Sequence, residues 1–414
     1  MAAMLFLQTL LYRLLLWLAL PLIPLRLLVR GFKEHGYWHN IPERFGSIAA
    51  QVDRPVWIHA VSVGEVRASA PLVERFLAQG KVVLITCMTP AGRGTAEQLF
   101  GGRISVHYLP YDYAWAVRHF LRRVQPERGI IMETELWPNL VREAKRAGVP
   151  LYLVNARLSE KSAAGYRKFS ALTHSVLQDF TAVAAQTEAD AGRLRDLGAS
   201  NVTVTSNLKF DIGPPADQLQ LGRRFRELIG NRPVWLAAST RDGEEKLILQ
   251  AFQKAAPQNA LLALVPRHPQ RFEEVVTLAR NLGLEVQRRS ENAPVKDSTR
   301  VWMGDSLGEM FAYYAAADCA LIGGSLLSYG GQNLIEACAV GCPVLVGPHT
   351  ENFKQVAEEA VAQGAALRVA DAAEWVSKAA ALSDDARQRM GEAGKRFAAA
   401  HKGAAERVFR LIAP

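Results

Sequence analysis

With 414 residues, 49% hydrophobic and 21% charged, the chain is long enough for two domains and too apolar for general disorder. Its net charge of +9 favours an acidic partner such as anionic lipid, a phosphorylated substrate or nucleic acid. No Lys/Arg run or basic-aromatic stripe singles out nucleic acid, so none is expected. Four cysteines without a C-x-x-C pair fit a reducing compartment, and nine histidines without paired spacing predict no structural metal.

The first 33 residues contain no Asp or Glu and are mostly apolar, with Arg13 inside and Arg26, Arg30 and Lys33 at the end. A cleaved signal peptide carries its charge first and a small-residue site after its apolar core. Here the charges follow, and Leu25-Arg26-Leu27-Leu28 is a poor cleavage site. Residues 1–33 are read as an uncleaved membrane anchor with the following domain on the cytoplasmic side. Arg13 works against a full span, since a mid-bilayer Arg costs roughly 2.5–3.5 kcal/mol. A helix lying on the membrane competes with it.

From residue 45 onward strands and helices alternate. Strands are predicted at 56–60, 81–86, 104–109, 129–132, 151–154, 182–185 and 202–204. Residues 211–224, with Pro214-Pro215, read as a linker between a domain at 34–210 and another at 225–414. The pattern then restarts, with strands at 234–238, 260–265, 284–288, 299–303, 319–322 and 343–346. Helix is predicted at 307–316, capped by Asp305 or Ser306, and through most of 355–412. Such alternation implies α/β halves with mainly parallel sheets. Ligands then bind at strand carboxyl ends, in a cleft that the two domains face.

Ser62-Val63-Gly64-Glu65 reads first as a capping box between strand and helix. The functional reading makes Glu65 a general base, although a helix N-terminus lowers a carboxylate's pKa and weakens it as a base. Burial or a second carboxylate has to offset that. Glu133 and Glu135 directly follow an apolar strand and are either solvated or part of a site. Lys209 is either a surface lysine or a cleft cation. Pro266-Arg267-His268 follows another apolar strand, where Arg267 can fork onto phosphate or carboxylate. Residues 320–353 read as strand, glycine loop, helix and strand, with Asn333 and Glu336 at the helix start. The loop N–H groups suit a phosphate, and Glu336 suits ribose hydroxyls. Neither G-x-G-x-x-G nor a Walker loop is present, which argues against a dehydrogenase.

Taken in order, HAVSVGEV, METELWPNL, NARLSEKS, SNLKFD, AAST, VPRHPQRF, GDSLGEM and GGSLLSYGGQNLIEACAVGCPVLVGPHTENF resemble the 3-deoxy-D-manno-octulosonic acid (Kdo) transferases of lipopolysaccharide synthesis. The resemblance spans nearly the whole chain. It implies a GT-B fold of two Rossmann-like domains, the C-terminal one binding the nucleotide sugar. It also implies inverting transfer of Kdo from CMP-Kdo to the lipid A precursor at the cytoplasmic face of the inner membrane, without metal or cofactor. Glu65 matches the family's proposed base, and Glu133, Glu135 and Lys209 match positions that support the transition state. Donor contacts fall on Pro266, Arg267 and His268, on Leu307, Gly308 and Glu309, and on Asn333, Leu334, Ile335 and Glu336. The family often has His-Gly-Gly-His-Asn-Pro where this chain has Tyr329-Gly330-Gly331-Gln332-Asn333-Leu334, and His where it has Arg241. Competing readings are a GT-B lipid transferase using a UDP-sugar, a nucleotide-sugar epimerase, and a non-catalytic membrane-tethered nucleotide-binding protein. Oligomeric state and the number of Kdo units transferred are open.

Overall fold

The structure, a computed structural model, describes residues 2–48, 53–211 and 213–413, apart from the Lys33 side chain. It forms two compact units, one of residues 1–211 with 403–414 and the other of residues 212–402.

The first unit holds a seven-stranded sheet in the order β3-β2-β1-β4-β5-β6-β7. The strands are β1 (Val56–His59), β2 (Val83–Cys87), β3 (Ser105–Tyr108), β4 (Arg128–Met132), β5 (Leu151–Ala156), β6 (Ala182–Ala185) and β7 (Val202–Val204). Every pairing is parallel. Strands covered on both faces need apolar side chains on both, and β1 and β2 are buried throughout. Trp57 points into a cluster with Phe120, Ile131 and Leu153. Val56 and Ile58 point the other way, toward Leu72 and Phe76. Gly129 is required beside Trp57, because a Cβ there would lie 2.8 Å from the indole and 2.4 Å from Leu151.

The second unit repeats the plan, in the order β10-β11-β9-β8-β12-β13-β14. Its strands are β8 (Val234–Thr240), β9 (Leu261–Pro266), β10 (Val286–Arg288), β11 (Val301–Met303), β12 (Cys319–Ile322), β13 (Val344–Val346) and β14 (Ala366–Arg368). These are also parallel throughout. Strand order reverses between β1 and β4 in the first sheet and between β8 and β12 in the second. Such reversals are where open α/β sheets take ligands, beyond the strand carboxyl ends.

Several sequence expectations are corrected. A helix, Ala216–Ile229, starts inside the supposed linker 211–224. The last helix, Ala404–Ile412, does not stay with the second domain. Val408 and Ile412 join Ile58 and Phe76 in the first unit's core, and Phe409 lies 5.1 Å from the Phe76 ring. Asp211 accepts the amides of Gly403 and Ala405 and fixes that return. Strand β14 falls between the helices predicted at 355–363 and 373–382 and was not predicted, because three residues, Ala-Leu-Arg, are too short an apolar run to read as a strand. The helix expected at 307–316 is Met310–Ala316, since Gly308 adopts φ 81° and holds Leu307–Glu309 in a turn.

The N-terminal segment is two helices, α1 (Ala2–Ala19) and α2 (Leu22–Lys33), broken at Leu20-Pro21. By length and composition α1 is long and apolar enough to cross a membrane. Its half-buried positions are Leu5, Gln8, Thr9, Tyr12, Arg13 and Leu16 along one face, with Leu20 just beyond, while the opposite face is exposed. Gln8 Oε1 accepts the Leu172 amide at 2.9 Å. The Tyr12 hydroxyl donates to Asp112 at 2.7 Å, and the Tyr113 hydroxyl donates to the Leu16 carbonyl at 2.6 Å.

Candidate active site

β1 delivers Glu65 through a short turn into α3 (Val63–Ala78). The capping box expected at Ser62–Glu65 is not formed, because the Ser62 side chain accepts no amide. Instead the Ser62 hydroxyl donates to Glu65 Oε1, and the Val61 amide donates to Oε2, both at 2.8 Å. The carboxylate is therefore fixed in place, and Glu65 is 8% exposed. Its pKa is raised, first by burial and then by the charge of Glu133. The Val61 and Ser62 donors and the Lys209 charge act in the opposite direction. The offset needed for a base at a helix start is present, from both burial and a second carboxylate.

β4 delivers Glu133 directly beside this, across the order reversal. Glu133 takes a left-handed conformation, φ 58°, and its amide bonds to the Val154 carbonyl at 2.8 Å. A non-glycine residue held there costs on the order of 1–3 kcal/mol. The Lys209 ammonium donates to Glu133 Oε1 at 3.0 Å, each side chain about one-third exposed (34% and 30%). Glu135 follows, its pKa pushed up to about 7 by burial, then by the charges of Glu65 and Glu133. Three carboxylates and one lysine thus share one electrostatic site at the β1/β4 edge.

Sequence reasoning missed what sets the lysine. Asn155 sits in a bulge of β5, buried, with φ 57°. Its Oδ1 accepts the Leu208 amide at 3.0 Å, and its carbonyl accepts Gln186 Nε2 at 2.9 Å. Gln186 Oε1 accepts Asn207 Nδ2 at 3.0 Å, and Asn207 Oδ1 accepts the Lys209 amide at 2.9 Å. Side-chain amides therefore lace the ends of β5, β6 and β7 and fix the turn carrying Lys209. The available signal was Asn in NARLSEKS and SNLKFD. Burial also pushes Cys87, which feels the Glu65 charge, up to about 12, so it is a neutral wall and not a nucleophile.

In the second unit Pro266 ends β9 with its side chain in the core, leaving Arg267 and His268 exposed at the sheet edge. Among the described residues the Arg267 guanidinium has no hydrogen-bond or ion-pair partner, while its amide bonds to the Thr240 carbonyl at 2.9 Å. Arg241 donates to His268 Nε2 at 3.0 Å and lies 4.9 Å above the Tyr329 ring. That bond places the ring proton of neutral His268 on Nδ1. The pKa of His268 is lowered by burial, then by Arg241, Arg267 and Arg271.

The glycine loop has its anion already. Glu244, wholly buried, accepts the amides of Gly324 at 2.6 Å, Leu326 at 2.9 Å and Arg241 at 2.8 Å. The expectation that these loop N–H groups hold a phosphate is corrected for Gly324 and Leu326. Gly323 is required because a Cβ would lie 2.4 Å from the Ser239 carbonyl. The helix of this stretch is Ile335–Val340, so Asn333 precedes it. Asn333 Oδ1 accepts the Ile335 amide at 3.0 Å, and its Nδ2 donates to Glu336 at 3.3 Å. Leu334 and Ile335 are buried, each 1% exposed. Glu309 is engaged by Arg289 at 3.1 Å and by the Ser306 hydroxyl, and Leu307 is exposed. Among the described residues no cluster of three or more His, Cys, Asp or Glu suits a metal ion.

Two Rossmann-like units of this topology, together with the glycosyl transferases group 1 match to the second, make the chain a glycosyltransferase of the GT-B class. The fold is shared with a glycosyltransferase from Rickettsia africae (TM-score 0.60, 12% identity, 87% of this chain and 98% of that one). It is also shared with a UDP-GlcNAc 2-epimerase from Neisseria meningitidis (TM-score 0.59, 15% identity, 86% and 99%). The family model for 3-deoxy-D-manno-octulosonic-acid transferase (kdotransferase) matches residues 39–212, and that for glycosyl transferases group 1 matches residues 246–397. The 3-deoxy-D-manno-octulosonic acid transferase of Bordetella pertussis is 44% identical over 415 residues, covering 95% of this chain and 96% of the relative. That of Haemophilus influenzae is 35% identical over 416 residues, covering 97% of each. The chain belongs to the 3-deoxy-D-manno-octulosonic acid transferase family.

Proposed function

We propose that the chain transfers Kdo from CMP-Kdo to a hydroxyl of the lipid A precursor (lipid IVA), with inversion, in lipopolysaccharide synthesis. The acceptor is met at the cytoplasmic face of the inner membrane. Glu65 is the base. Its carboxylate takes the acceptor hydroxyl proton while that oxygen forms a bond to the anomeric carbon of Kdo. The bond from that carbon to the phosphate oxygen breaks, and CMP leaves with the electron pair. The proton on Glu65 then passes to water. Glu133 and Glu135 favour positive charge developing on the sugar, and Lys209 limits how far the Glu133 charge raises Glu65.

In the second unit Arg267 meets the donor phosphate or carboxylate as a fork donor. His268, the backbone around Leu307–Glu309, and the Asn333–Glu336 pair, set by the buried Leu334 and Ile335, line the nucleotide. Charge on the leaving group is met by a guanidinium and amides, so the reading requires no metal. The observation that carries the proposal is the buried, two-donor Glu65 carboxylate beside Glu133 and Lys209 at the β1/β4 edge. A panel of CMP-Kdo and UDP-sugars with lipid IVA tests it. Transfer from CMP-Kdo alone supports it, and transfer from a UDP-sugar in its place refutes it.

A further inference from the structure

α1 inverts the ordinary surface helix. The face turned to the protein carries Gln8, Thr9, Tyr12 and Arg13, and the face turned outward is apolar, including Phe6, Leu7, Leu10, Leu14, Trp17 and Leu18. α2 also turns apolar side chains outward, with Leu22, Leu25, Val29 and Phe32 exposed, but its buried positions are the apolar Leu27 and Gly31. A helix spanning lipid would strand Gln8 and Tyr12 in hydrocarbon, where unsatisfied polar groups cost several kcal/mol. Here both are bonded to the first unit, Gln8 to the Leu172 amide and Tyr12 to buried Asp112. Asp112 also accepts the amides of Asn139 at 2.9 Å and Leu140 at 2.7 Å. The docked stripe thus ties α1 along its length to the start of the helix Pro138–Arg146 and to the helix Ser170–Gln178. With α1 held in this way, a span would carry part of the first unit into the bilayer.

We propose that α1 and α2 lie in the plane of one leaflet as a two-helix float fixed to the first unit, and that α1 does not cross the membrane. The occupant of the outward face is an acidic phospholipid surface. Arg26 and Arg30 flank the apolar face of α2, where Phe32 packs against Trp38, and Trp17 and Trp115 are exposed elsewhere on the same unit, as aromatics and cations are at a membrane interface. The inference rests on the reading that the protein works at a membrane, and it adds the orientation.

Full-length Met4→Cys and Leu18→Cys variants, each carrying a nitroxide, test it in vesicles of phosphatidylglycerol and phosphatidylethanolamine. The four native cysteines are buried, so the label reports only the engineered site. In-plane helices place both labels at one depth, about 5–10 Å below the headgroups. A span separates positions 4 and 18 by about 21 Å along the normal, and that result overturns the proposal. Labels shielded from lipid in a protein that runs as a dimer would also overturn it, making a second copy the occupant. A Gln8→Leu, Tyr12→Phe double variant should melt at a lower temperature while binding vesicles as before. Unchanged melting would show that the stripe is not docked. Kdo transfer on the same vesicles is read separately, so failure of the enzymatic reading is distinguishable from failure of the orientation.

Discussion

Glu135 is where the electrostatics of the site become a stability measurement. Its carboxyl is pushed from 4.5 to about 7 by burial and by the charges of Glu65 and Glu133. The folded state therefore holds this proton more tightly than the unfolded chain. The sign follows from linkage: the contribution is fully present below about 4.5, declines between 4.5 and 7, and is lost above. Two and a half units correspond to at most about 3.4 kcal/mol. The side chain is partly exposed to solvent, which screens these charges, so about 2 kcal/mol is expected. Glu135→Gln removes the ionisation without changing shape. Urea unfolding should find the variant about 2 kcal/mol more stable than the parent at pH 8.5, with little of that gain at pH 4.5. A stability difference equal at both pH values would refute the shared-charge reading of the three carboxylates.

Lys209→Met removes the cation that holds the Glu65 pKa down. A base works only when ionised, so the acid limb of its kcat/KM profile should shift to higher pH. An unshifted limb would separate Lys209 from Glu65. Arg267→Ala should raise the donor KM about 10-fold to 100-fold, the range of a lost charge-assisted hydrogen bond. An unchanged KM and kcat would remove Arg267 from the donor site. Glu244→Ala leaves three amides without their acceptor and should destabilise the second unit by about 3 kcal/mol, read from its denaturant midpoint.

Thirteen of the strands were legible; the central ones are buried on both faces, so each is an apolar run closed by a turn residue, while the edge strands β7 and β10 are only partly buried. What was illegible depends on the third dimension. Hydropathy shows that α1 is apolar, but only packing shows that its few polar residues form one docked stripe. Nothing local marks Ala404–Ile412 as belonging to the first unit, because its partners Ile58 and Phe76 lie far away in sequence. Ser62 and Glu65 have the spacing of a capping box, and the spacing misled: the hydroxyl donates to the carboxylate and leaves it for chemistry. The glycine loop was read as an anion site. That was right in kind, but Glu244, eighty residues upstream of Gly324, supplies the anion from within the chain. Asn155, Gln186 and Asn207 went unnoticed because isolated amides carry no periodic signal.

The role of Glu65 is decided by turnover of Glu65→Gln with CMP-Kdo and lipid IVA. The amide keeps the shape and cannot take a proton. The variant should fold, bind CMP as the parent does, and lose transfer by about 10²–10⁴-fold, the usual contribution of a general base. Transfer within a few-fold of the parent would contradict the assignment of Glu65 as the base.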